Sequence, residues 1–138
     1  MAREAVLRDT KVQTSKRYTC ATATGIPKGT YLYLALDQTA SAAITTGALF
    51  LGFAHADVNM STDTSFNTET SVTADKGGIY ELVASLAIPI GTYVKTAAPG
   101  NYVQACTDTD MTSSLAIVIG KALEAASAAE TINVEVFP

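Results

Sequence analysis

The sequence predicts a mainly β chain: a small single-domain β-barrel or β-tulip-like fold of two pseudo-repeated halves, with a flexible N-terminal arm. Three observations point there. Short apolar or alternating runs recur along the chain, each bounded by Gly, Pro or polar turn residues. Helix signals are sparse. Two segments of the first half return in the second half in the same order. The length of 138 residues fits one ordinary domain. A chain of that size buries roughly 68% of the surface its unfolded form exposes, enough for a proper core.

Residues 1–17 read as a basic arm and residues 18–138 as the β-rich domain. The arm holds five of the nine basic residues, Arg3, Arg8, Lys11, Lys16 and Arg17, against Glu4 and Asp9, a balance of +3. The remainder of the chain carries −7. Such an arm is a candidate for docking on an acidic protein surface, and its plainer reading is a solvated, unstructured start. A nucleic-acid arm is disfavoured, because no aromatic residue precedes Tyr18.

Residues 18–24 alternate as a short strand does. Gly25-Ile26-Pro27-Lys28-Gly29 is a turn, with φ set at Pro27 and left-handed φ open to Gly29. Thr30 to Leu36 reads as a strand, Asp37 to Ser41 as a polar connection, and Leu49 to His55 as a second strand. Gly52 inside it signals a bulge or a close backbone approach. Residues 57–68 form a long polar loop, a candidate for function or disorder. Thr70 to Thr73 is β-like, Lys76-Gly77-Gly78 is a turn, and Ile79 to Ala84 is a strand. Asp108 to Met111 caps one short helical turn. Ala116 to Gly120 is a strand. Residues 122–129 have helix-forming composition but sit between two strands, and they read as a strand end plus loop. Residues 131–137 close the series, with Ile132, Val134 and Val136 alternating against Asn133 and Glu135.

The repeat is specific. Ile26-Pro27-Lys28-Gly29-Thr30-Tyr31-Leu32 returns as Ile88-Pro89-Ile90-Gly91-Thr92-Tyr93-Val94, an offset of 62. Leu49-Phe50-Leu51-Gly52-Phe53-Ala54 returns as Ile117-Val118-Ile119-Gly120-Lys121-Ala122, an offset of 68. Each half runs turn, strand, loop, strand-with-glycine. Two bent units closing on each other would make a small barrel without exposed edges.

Composition leaves little material for chemistry. There are 23 Ala and 20 Thr, one His, two Cys and no Trp, and the net charge is −4. The acidic balance disfavours a general nucleic-acid binder. No nucleophile elbow and no phosphate loop occurs, and His55 reads as a strand-end histidine with hydrogen-bond partners. Asp57, Asn59, Ser61 and Asp63 superficially resemble a calcium loop. The sixth-position glycine is missing, and Thr68 stands where a bidentate Glu belongs. Cys20 and Cys106 read as two small buried thiols, and sequence leaves open whether they pair. No catalytic residue, metal or cofactor is expected. No apolar run has the length of a membrane span or a signal peptide. Six tyrosines suit a chain that packs against a partner.

One family is similar in the order of its weak motifs. They are Ile26-Pro27-Lys28-Gly29-Thr30, Thr39-Ala40-Ser41, Phe50-x-Gly52-x-Ala54, Gly78-Ile79-Tyr80-Glu81-Leu82, Ile119 to Ala126, and Glu130-Thr131-Ile132-x-Val134. Together, over residues 18–137, they resemble phage capsid decoration (cement) proteins. The resemblance implies a β-rich, non-catalytic protein on the outer surface of the virion. Its partner would be the major capsid protein, and its own state a homo-oligomer, a trimer before a dimer. Membrane and direct nucleic-acid partners are not expected. Arg3, Arg8, Lys11, Lys16 and Arg17 are the candidate capsid contacts. The other reading of a Tyr-bearing β chain is a carbohydrate- or host-surface-binding module, against which the missing Trp counts.

Overall fold

The structure, a computed structural model, describes residues 5–9, 13–21, 24–42, 49–63, 65, 68–97, 102–113 and 117–138. The strands are β1 (Val6–Asp9), β2 (Thr14–Cys20), β3 (Tyr31–Leu36), β4 (Thr39–Ser41), β5 (Phe50–Ala54) and β6 (Ser71–Lys76). They continue with β7 (Gly78–Ala84), β8 (Tyr93–Ala97) and β9 (Tyr102–Ala105), then helix α1 (Asp108–Ser113), β10 (Val118–Ala122) and β11 (Thr131–Val136).

Five strands close into a barrel in the order β2-β4-β3-β5-β6. The others form a second sheet, β1-β7-β11-β10-β8-β9, in which β7 also pairs with β9. That extra pairing brings β7, β11, β10, β8 and β9 round into a ring of their own, with β1 attached alongside. The mainly β, barrel-type prediction therefore holds. Closure, however, occurs within each half rather than between the halves.

The two rings follow one plan. The first and third strands of each pair in parallel, Thr19 facing Thr39 and Val83 facing Tyr102. Leu32 faces Gly52 as Val94 faces Gly120, with a register slip at the same step. Ile26 bridges Val58 as Ile88 bridges Ala126. Each Pro-x-Gly turn launches its strand in the same way. Thr30 N donates to Pro27 O at 3.2 Å and Thr92 N to Pro89 O at 3.4 Å, while Gly29 and Gly91 take φ of 87° and 76°.

Glycine in a strand has the predicted use. Gly52 has φ +137°, and a Cβ placed there would lie 2.5 Å from the Asp75 carbonyl oxygen. At Gly120 a Cβ would run into the Glu135 carbonyl. Each bare backbone lets its strand press against the neighbouring strand as the ring closes.

Alternation sorts the side chains. In the first barrel Leu32, Ala40, Leu51, Val72 and Ala74 point inward and form a core with Ile26, Ala54 and Val58. Tyr31, Tyr33, Phe50 and Phe53 belong instead to the core of the second ring, with Tyr80, Leu82, Ile132, Val134 and Val136. The outer wall of the first barrel thus packs onto the second. Phe53 stacks on Tyr80 with ring centroids 4.2 Å apart, and the Tyr31 hydroxyl donates to the Tyr102 carbonyl at 2.9 Å. Burial, reinforced by Tyr33 beside it, pushes the Tyr31 phenol well above its ordinary range. The rings are also joined in sequence, since only Gly77 separates β6 from β7.

Several elements differ from the sequence reading. The described part of residues 1–17 is pleated into the sheets: β1 lies against β7, and a boundary at residue 17 cuts through β2. The strand expected over 18–24 begins at Thr14 and ends at Cys20, because β2 extends along β6 from Thr14↔Lys76 to Thr19↔Ser71. Charged residues hid that alternation. Thr39–Ser41, read as a connection, is a strand whose Ala40 is fully buried between β2 and β3. The short helix is capped by Thr107 and not by Asp108. Thr107 N donates to Asp110 Oδ2 at 2.8 Å, and Asp110 N donates to Thr107 Oγ1 at 3.2 Å, a reciprocal capping box. Residues 122–129 are strand end and loop, as the reading had it.

The Asp110 carboxylate also accepts from Lys95 Nζ at 2.8 Å, with both side chains largely buried. The Lys95 hydrogen bond and the Thr107 amide hold its pKa below the usual carboxylate value. The stability this contributes is fully present above the unfolded-state pKa, about 4, and is lost as pH falls through the lowered folded value. Asp110→Asn is expected to cost about 2 kcal/mol at pH 7, from a broken charged hydrogen bond. The gap from wild type should narrow as pH falls below 4, measured by urea unfolding at each pH.

Candidate interaction surfaces

The five basic candidates are not brought together as one cluster. Arg3 and Lys11 lie outside the described residues. Arg8 lies in β1 at the register slip between Leu7 and Asp9. Lys16 and Arg17 are successive residues of β2, so they project from opposite faces of the sheet. Lys16 Nζ sits 5.2 Å from the centre of the Tyr18 ring, and Arg17 Nε donates to Ser71 Oγ at 3.1 Å.

Arg17 borders a shallow cleft of about 250 Å³ with His55, Asp57, Glu69 and Thr73. Beside it Asp75 holds two groups. His55 Nδ1 is 2.6 Å from Oδ2, and Ser15 Oγ donates to Oδ1 at 2.6 Å. Serine and histidine therefore share one carboxylate from separate sides. A nucleophilic triad instead places the serine on the second imidazole nitrogen, so this set orients β2, β5 and β6 relative to one another. As expected, His55 stands just past the end of β5 and its ring has a partner.

The described residues of the polar loop over 57–68 are held by local side-chain bonds. Asn59, buried and at φ 53°, accepts from Glu69 N at 3.0 Å and donates to Glu69 O at 3.1 Å. Its amide thus closes the loop as a backbone pair would. Asp63 accepts from Ser65 N at 3.0 Å and from Ser65 Oγ at 2.7 Å. Among the described residues no group of three or more His, Cys, Asp or Glu is placed to hold a metal ion. Replacing Asn59 by Ala removes both hydrogen bonds to the Glu69 backbone, and about 1 kcal/mol of stability should go with each. Thermal melting, with limited proteolysis over residues 57–69, measures this. No disulfide links Cys20 and Cys106, and burial with Asp110 nearby raises the Cys106 thiol to about 11.

The surface features are apolar. Leu86 (63% exposed), Ile90 (69%) and Leu123 (40%) lie on two loops held side by side by the Ile88–Ala126 bridge. The matching positions of the first barrel are Thr24, Lys28 and His55, all polar. At the β3–β4 turn Leu36 is 71% exposed, with Leu34 and Leu49 half exposed nearby. Clusters of this kind are candidates for protein contact. Sequence reasoning passed over Leu86, Ile90 and Leu123. Comparing the repeat halves position by position would have found them, since apolar residues in loops replace polar ones.

The architecture is a duplicated five-stranded β-barrel, two copies in tandem sharing an aromatic seam. No family model matches the chain, and no curated protein matches it either. Among solved structures the chain is similar to the head fiber gp8.5 N base in bacteriophage phi29. The likeness covers 91% of this chain and 95% of that one, with 14% identity and a TM-score of 0.52. What the two share is the fold.

Proposed function

We propose that this chain is a structural virion protein of a bacteriophage, bound to the outer surface of the expanded head and stabilising contacts between major capsid protein subunits. The observation that carries the reading is the fold shared with a phage head-fiber base over nearly the whole of both chains. The ordered motifs that resemble capsid decoration proteins support it independently. So do the exposed apolar loops around Leu86, Ile90 and Leu123.

A protein that binds only the expanded lattice stabilises it by mass action, because the unexpanded state offers no site. A homotrimer engaging several subunits makes weak single contacts sufficient. Of the five basic candidates, Arg3, Arg8 and Lys11 would meet an acidic patch of the shell, whereas Lys16 and Arg17 leave opposite faces of β2 and do not share one patch. Deleting residues 1–17 would remove β1 and four of the seven residues of β2, so charge reversal is the cleaner probe.

The test is co-sedimentation of the purified protein with heads of the phage that encodes it, before and after expansion. Binding to expanded heads alone, weakened about tenfold by Arg3→Glu with Arg8→Glu and Lys11→Glu, is the expected result. A protein that stays at the top of the gradient with both kinds of head, and is missing from purified virions by mass spectrometry, would refute the reading.

A further inference from the structure

Ring closure leaves one stretch of sheet edge uncovered. The backbone of β2 alternates between two neighbours. Cys20 N donates to Thr70 O at 2.8 Å, on the β6 side, and Thr19 N donates to Gln38 O at 2.9 Å, on the β4 side. β4 meets β2 only at Thr19 and Cys20. Arg17 and Ser15 share the alternation of Thr19, so their N–H and C=O groups point past the end of β4. Among the described residues no strand pairs with them there. Thr14, Ser15, Lys16 and Arg17 are all exposed, although each is in register with β6.

The second ring contains the same edge in an occupied form. Thr19 facing Thr39 matches Val83 facing Tyr102, so Ser15, Lys16 and Arg17 match Ile79, Tyr80 and Glu81. There β9 takes one end of the edge and β1 takes the rest, antiparallel, with Val6 opposite Glu81 and Asp9 opposite Ile79. Among the described residues the chain gives this extra strand to β7 and none to β2.

The side chains define the strand that fits. Successive residues of an incoming strand would lie beside Lys16 and Arg17, one on each face. A single partner strand thus reaches two cations that leave opposite faces of β2. Neither cation has an ion pair among the described residues: Lys16 lies over the Tyr18 ring, and Arg17 Nε donates to Ser71 Oγ. Asp75, the carboxylate of β6 nearest in register, is held by Ser15 and His55. A second copy pairing edge to edge would bring its own Lys16 and Arg17 against these, which like charges disfavour. A nucleic-acid strand could neutralise the cations but has no alternating N–H and C=O groups for Ser15 and Arg17.

We propose that the edge of β2 over residues 15–17 is a docking site for one extended, acidic segment of a partner protein. The segment adds antiparallel, as β1 adds to β7, with backbone bonds to Ser15 and Arg17 and carboxylates beside Lys16 and Arg17. The proposal goes beyond the capsid reading and does not depend on it.

The test uses the full chain, isotope-labelled for amide exchange by nuclear magnetic resonance, and a capped peptide, Thr-Val-Glu-Glu-Val-Thr. In the free protein the Ser15 and Arg17 amides should exchange about a hundredfold faster than those of Lys16 and Tyr18, which face β6. The peptide should bind with about millimolar affinity and slow exchange at Ser15 and Arg17 about tenfold, leaving Ile79 and Glu81 unchanged. Lys16→Glu with Arg17→Glu should weaken binding about tenfold and reverse the preference toward the same peptide with both Glu replaced by Lys. Ser15→Pro removes one edge N–H while the bonds to β6 remain, and it should abolish binding. If that variant does not fold, the charge-reversed pair carries the test. The proposal is overturned if the edge amides are already protected in the free monomer, or become protected on raising protein concentration without peptide, which would make a second copy the occupant. It is equally overturned if the peptide leaves Ser15 and Arg17 exchange unchanged, or if the Glu and Lys peptides bind wild type alike.

Discussion

Phe53→Ala should lower stability by about 4 kcal/mol, the cost of emptying a well-packed aromatic site. The residue is 1% exposed and touches four aromatic partners directly or through the cluster: Tyr31 at 5.5 Å, Phe50 at 5.4 Å and Tyr80 at 4.2 Å, with Tyr33 packed behind Phe50. Its position makes the loss more than a cavity. The first barrel has its own interior around Leu32, Leu51 and Val72, which Phe53 does not enter. Removing the seam residue should therefore uncouple the halves, and unfolding followed by tyrosine fluorescence and by far-UV circular dichroism should cease to coincide. A double-mutant cycle with Tyr80→Ala should give a coupling of about 1 kcal/mol for the stacked pair. A Phe53→Ala chain that loses less than 1 kcal/mol would show that the seam holds little of the fold.

Gly52→Ala is expected to be nearly as damaging, about 3 kcal/mol, for a different reason. Two costs combine: an L side chain at φ +137°, and a Cβ against the Asp75 carbonyl, which as backbone in β6 has little room to retreat. At about 4 °C per kcal/mol, the melting temperature should fall by about 12 °C. Gly91→Ala is the matched control. It also has positive φ, +76°, but a Cβ there meets nothing within 4 Å. It should cost about 1 kcal/mol, the backbone strain alone. Equal losses in the two variants would mean that strand closure does not depend on the close approach at Gly52.

The repeat was the most informative feature of the sequence, because it is carried by residues with backbone consequences. Pro27, Gly29 and Gly52, with Pro89, Gly91 and Gly120, fix turns and close approaches that any barrel of this plan needs. The strands Ile79 to Ala84 and Thr131 to Phe137 were legible from apolar alternation. What stayed hidden has physical causes. Thr14 to Arg17 is a strand whose interior-facing position at the barrel end is Lys16, so polarity concealed its pleat. Thr39–Ser41 is three residues long, too short for any period to register. Closure of each half on itself depends on the parallel pairs β2–β4 and β7–β9, which join residues about 20 apart. The candidate surfaces were less legible than the fold. Exposure of Leu86 or Leu123 depends on which loops the closed rings leave uncovered, and a hydrophobic residue in sequence is by default counted toward the core.

The attachment of β1 to β7 sets how the molecule bears tension. Although β1 precedes the first barrel in sequence, it is hydrogen-bonded to the second sheet. There β7 is the neighbour of β11, which ends at Val136. A pull applied between residues 5 and 137 therefore travels across three adjacent strands, with the first barrel joined to the start of that path by the Ala5 N to Gly29 O bond at 3.2 Å. Under force the first rupture should be the β1–β7 clasp, releasing slack before any barrel opens. In a pulling experiment this gives a short initial extension, and two larger barrel-opening events follow it.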